Sequence, residues 1–111
     1  METVFAEKSQ EVTEYPGCYS WAYFEDRQTP CPGFRAMYNR FYNDDYLLPY
    51  GVHEDNEGFF VAAGTGKMMI GDEEFSLKPG VAMLAPAGVP HAIAKTSQED
   101  LEIFLFHFPK G

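Results

Sequence analysis

The chain is poor in cysteine, poor in positive charge and free of long apolar runs. Only two cysteines, Cys18 and Cys31, occur in 111 residues. Neither sits in a Cys-x-x-Cys pair or near a histidine in sequence, which favours reduced thiols over a disulfide framework or a cysteine metal site. Eight basic residues face 17 acidic ones, for a formal charge of −9. A surface of that sign repels phosphate backbones and anionic lipid, so nucleic acid and membrane surfaces are set aside as partners. The simplest use of the charge is to keep a small protein soluble. No segment approaches the ~20 apolar residues of a membrane helix. The first residues, METVFAEKSQEVTEY, carry charges throughout and lack the apolar core of a signal peptide. A cytoplasmic location is therefore expected.

Helical periodicity is also missing. What replaces it is a series of short β-branched and aromatic runs separated by turn residues. Strands are predicted over 19–24, 34–42, 59–63, 67–70, 73–77, 81–84, 91–95 and 101–108, with the first dozen residues forming a short turn or fraying. Seven of the ten glycines fall between Gly51 and Gly88, at about one per strand. That punctuation suits an antiparallel sandwich or a closed barrel. Gly71-Asp72 sits between two alternating runs and reads as a tight hairpin. Pro79-Gly80 and Pro86-Ala87-Gly88 read as turns. The length allows one domain, 1–111, with strands and loops of 1–33 packed on a barrel of 34–108. Phe104, Phe106 and Phe108 alternate along the last run and are expected to form one core face.

Side chains two apart on a strand point the same way. His91, Ile93 and Lys95 therefore share a face, as do Glu57, Phe59, Val61 and Ala63. If both faces turn inward, the interior has a polar mouth and an apolar floor, as a ligand pocket does.

From Asn43 to Pro109 the chain resembles the cupin superfamily, on two motifs. The family's second motif is G-x5-P-x-G-x2-H-x3-N. Here Gly80, Pro86, Gly88 and His91 stand at those spacings, and Lys95 replaces the final Asn. The first motif is G-x5-H-x-H-x(3,4)-E-x6-G. His53, Glu57 and Gly64 match its second half, while Gly51 occupies the first histidine slot and Asp45 the leading glycine slot. The resemblance implies an all-β jelly-roll barrel, a double-stranded β-helix often paired as a homodimer. It implies a pocket for a small molecule and a metal held by His53, Glu57 and His91.

With Gly51 bringing no donor, two imidazoles and one carboxylate remain. This set suits non-haem Fe(II) with open positions, and it also suits a catalytic zinc with one water. Nickel and manganese stay open. His107, Asp55 or Tyr50 could supply a fourth donor. Glu57 is the candidate for proton transfer, and Lys95 and Phe59 are candidates for contact with substrate. Lys95 could meet a carboxylate or phosphate, or instead pair with an acid such as Glu99 or Asp100. Two functions follow: a metal-dependent isomerase, lyase or dioxygenase acting on a small polar or anionic molecule, or a metal-free binding or sensing module. Fold alone does not choose between them.

Overall fold

The structure is a computed structural model that describes residues 3–7, 10–25 and 28–111. Among the described residues it has nine strands. They are β1 (Val12–Tyr15), β2 (Cys18–Phe24), β3 (Arg35–Phe41), β4 (Asn56–Ala63), β5 (Gly66–Ile70), β6 (Glu73–Leu77), β7 (Ala82–Ala85), β8 (His91–Lys95) and β9 (Leu101–Phe108). All pairings are antiparallel, in a six-stranded sheet ordered β1-β2-β3-β9-β4-β7 and a three-stranded sheet ordered β6-β5-β8. Two sheets enclosing a shared core make the expected all-β jelly roll.

The turns lie where the glycines mark them. Ile70 pairs with Glu73, so Gly71-Asp72 is a two-residue hairpin loop. Gly71 takes a φ of 63°, which costs a glycine nothing. The strand missed by sequence reasoning is β1. All four of its residues are exposed, so it shows no buried alternation to detect. It is made by Pro16-Gly17, a two-residue loop between Tyr15 and Cys18 with Gly17 at φ 86°.

The core is built by Phe59, Val61, Met68, Leu77, Ala85, Ile93, Leu101, Ile103 and Leu105. Along β9 the buried residues are Leu101, Ile103, Leu105 and His107. This corrects the expectation for Phe104, Phe106 and Phe108, which face outward. Alternation shows that two faces exist but not which is the inner one. Register decides it: β9 pairs with β4 so that His107 meets Glu57 and Phe104 meets the exposed Phe60. The outer rings pack on each other, with Phe106 and Phe108 stacked at 5.8 Å and Phe34 and Phe106 at 6.0 Å. Gly58 gives the Phe106 ring room, because a Cβ there would lie 2.6 Å from the ring and force it to shift.

Candidate metal centre

Three elements bring the candidate site together. Glu57 lies near the start of β4 and His91 starts β8, each on the inner face of its sheet. His53 comes from the loop before β4. An isolated pair of backbone hydrogen bonds ties Gly51 to His91, each N–H donating to the other's carbonyl at 2.9 Å. That bridge pins the 51–53 segment across the end of β8.

The carboxylate is the hub. Glu57 Oε1 lies 3.1 Å from His91 Nε2 and 3.4 Å from His53 Nε2. Oε2 lies 3.4 Å from His107 Nε2. Glu57, His91 and His107 are 5%, 9% and 3% exposed, whereas the His53 side chain is 41% exposed. Ligand atoms of His53, Glu57 and His91 all lie within 4.8 Å of one another, so this trio could hold a metal ion.

Hydrogen-bond chemistry supports the fit. His91 Nδ1 is 3.3 Å from the Val89 carbonyl, which only accepts, so Nδ1–H donates there. In the neutral ring the lone pair is then on Nε2, the atom facing Glu57. A carboxylate oxygen and an imidazole lone pair at 3.1 Å repel unless a cation, a proton or a metal, stands between them. Glu57 Oε1 is in fact buried without a hydrogen-bond partner, although His91 Nε2 lies close by. Burying an uncompensated carboxylate is costly.

The two imidazoles respond differently. Burial pulls the His53 pKa below the ordinary value, with Glu57 only partly opposing it and His91 and His107 reinforcing it. Burial acts the same way on His91, but Glu57 and the Val89 carbonyl outweigh it and raise its pKa.

Behind the trio stands His107. Its Nδ1–H donates to Asp55 Oδ1 at 3.1 Å while its other nitrogen faces Glu57. With Nδ1–H given to Asp55, the other nitrogen can donate to Glu57 Oε2 only when the ring carries both protons, an imidazolium shared between two carboxylates; in that form it would support Glu57 as an outer partner of a metal ligand. Sequence reasoning named His107 and Asp55 only as alternative fourth donors. The pairing of Glu57 with His107 across β4 and β9, which brings them here, has no signal in sequence. Phe59, two residues along β4, packs edge-on against the His91 ring at 5.8 Å.

Gly51 faces the same point. A Cβ on it would lie 3.8 Å from both His53 Nε2 and His91 Nε2. The absent side chain therefore leaves open one direction of approach to the donors. Tyr50 instead packs against Tyr46. Lys95 lies four residues along β8 from His91, with its ammonium 2.7 Å from Asp44 Oδ1 and donating to the Ser97 carbonyl at 3.1 Å.

The cupin domain family matches residues 48–107, so the fold and this donor set define a cupin-type barrel. The chain belongs to the cupin family. No curated protein sequence matches it. Among solved structures it is similar to KdgF from Halomonas sp., with 20% identity, TM-score 0.76, and 96% of this chain and 94% of that one covered. It is also similar to an RmlC-like cupin from Shewanella frigidimarina, with 14% identity, TM-score 0.79, and coverage of 98% and 92%. A third likeness is to Fe(II) HppE, with 18% identity, TM-score 0.82, and coverage of 96% of this chain and 60% of that one. These identities speak for the fold. Among the described residues no helix is long and apolar enough to cross a membrane.

Proposed function

We propose that this cupin binds one divalent transition metal through His53, Glu57 and His91 and acts on a small polar or anionic molecule at that centre. The observation that carries the proposal is the buried, unpartnered Glu57 Oε1 with two imidazole nitrogens converging on it. Three ligands with open positions suit Fe(II), and the same set serves zinc, with nickel and manganese as further candidates. A cation held there would supply Lewis acidity toward an oxygen of the bound molecule, which isomerase and lyase chemistry can use, and an iron would add the capacity for dioxygen chemistry.

The protein's own groups have separate tasks. Val89 sets the His91 tautomer. His107 and Asp55 hold the Glu57 carboxylate in place. Phe59 fixes the His91 ring and makes the wall on which a bound molecule rests. Gly51 keeps the approach clear. Glu57, the central acidic group, is the candidate to move a proton. Lys95 is left out of the substrate contacts, because Asp44 already pairs its charge. A homodimer follows from the family resemblance.

A second reading rests on the 3.1 Å Glu57–His91 contact. A proton between the two would make a metal-free binding or sensing module.

Elemental analysis of untagged protein beside a His53→Ala, His91→Ala double variant separates the readings. About one equivalent of a transition metal in the wild type, lost in the double variant, supports the first and names the ion. Metal-free wild type from metal-replete medium leaves the second.

A further inference from the structure

The segment from Asn43 to Gly51 runs along the outer edge of β8 and is fastened to it at both ends. At one end the Lys95 N–H donates to the Asn43 carbonyl at 2.9 Å, and Asn43 Nδ2 donates to the Ile93 carbonyl at 2.8 Å. At the other end is the Gly51–His91 pair of hydrogen bonds. The segment has more residues than the five of β8 that it spans, so its middle stands off from the strand. Between the two is a cavity of about 300 Å³. Phe41 and Ile93, which pack into the core, form its floor, and the exposed Leu47 and Leu48 form its lip.

Two residues tie this cavity to the candidate centre. His91 is both a candidate ligand and a lining residue. Gly51 lines the cavity too, and a Cβ on it would lie 3.8 Å from His53 Nε2 and from His91 Nε2. Cavity and donor atoms therefore meet at a glycine, which puts no side chain between them. The lining is chemically one-sided. Charged residues make up 23% of the chain, yet among the described residues none lines this cavity. The neighbouring acids Asp44 and Asp45 are paired with Lys95 and Lys67. Asn43 is the one polar side chain besides His91 in the described lining, and its amide is already used. Nδ2 donates to the Asp45 and Ile93 carbonyls, and Oδ1 is buried.

We infer that the molecule acted on is amphiphilic: its polar end meets the His53–Glu57–His91 centre and a hydrocarbon substituent lies in this cavity, with Leu47 and Leu48 as the specificity-determining residues. The inference rests on reading that centre as the ligand site. The volume is at the lower end of small-molecule pockets, about 300–1,000 Å³, and suits one part of a small molecule. An uncharged lining with no free donor offers a polar group nothing to replace its water, so burying one there is costly. A hydrocarbon instead gains up to about fourfold in affinity for each methylene buried. Covering Leu47 and Leu48 takes further apolar surface out of water.

Calorimetric titration with acetate, butyrate and hexanoate tests this, beside ethanol and hexan-1-ol as an uncharged pair. Wild type, Leu47→Asn and Leu48→Asn are compared, each after metal loading and after chelation. Both leucines are exposed, so either replacement leaves folding intact. On metal-loaded wild type, affinity is expected to rise about two- to fourfold per methylene from acetate to hexanoate. In at least one variant hexanoate affinity should fall about threefold or more, with acetate binding and metal content unchanged. Equal affinity along the series, a chain-length gain that both variants keep in full, or no binding of any probe overturns the inference. Wild type that holds no metal yet prefers hexan-1-ol to ethanol, and loses that preference in a variant, sinks the metal reading and upholds the cavity. Full metal content with acetate and hexanoate bound equally does the reverse.

Discussion

The two ends of β8 carry similar groups to opposite effect. At the Lys95 end the charges cancel locally. Lys95 meets Asp44, Lys67 meets Asp45, and Asn43 donates to the Ile93 carbonyl. At the His91 end, about 13 Å away along the strand, acceptors accumulate instead. Glu57 Oε1 is approached by two imidazoles and hydrogen-bonded by neither. Three buried polar atoms lack a partner among the described residues, and only this one belongs to an acidic group. The contrast teaches that a charged residue in a barrel marks a site only when its neighbours leave it uncompensated. By that measure Lys95 is a structural ion pair, and Glu57 is where the proposed cation would sit.

Several experiments break or sharpen this contrast. The largest effect is expected from His107→Ala, which removes the brace on Glu57 Oε2 and should weaken metal affinity about 10- to 100-fold, as read by competition with a chelator. Unchanged affinity in a folded variant would show that Glu57 needs no support.

Next comes pH. His91 has a raised pKa, so below that value its ring is protonated and the metal must displace the proton. Affinity should therefore decline as pH falls through a point above the ordinary histidine value, by about tenfold per pH unit for one displaced proton. His53, with a lowered pKa, stays neutral further down and adds its own loss only at lower pH. A flat profile between about pH 8 and about pH 5.5 would contradict metal ligation by His91.

The smallest effect belongs to the other end. Asp44 is 85% exposed, so Asp44→Asn should cost about 0–1 kcal/mol in urea unfolding and leave metal content alone. A loss of metal in that variant would erase the distinction between the two ends.

Much of the fold was legible because turn chemistry is local. Gly71-Asp72 and Gly80 mark their turns wherever the chain goes, and β6, β8 and β9 have the predicted bounds. β1 was not legible, because an exposed edge strand has no apolar rhythm. The facing of β9 was not either, since a period of two is blind to which side is inner. His53, Glu57 and His91 were legible as a group through motif spacing. The brace from His107 and Asp55 was not, because it depends on pairing strands 50 residues apart in sequence.

By itself, then, the sequence determined the class of fold, the places of the turns and the three candidate ligands, all of which follow from residue type and short spacing. The tertiary structure alone decided the rest. Register put His107 and Glu57 in one row and turned the phenylalanines of β9 outward. The 43–51 loop brought Asp44 to Lys95 and took its charge out of the site. These outcomes are long-range because a charge's role depends on the partner that folding places beside it.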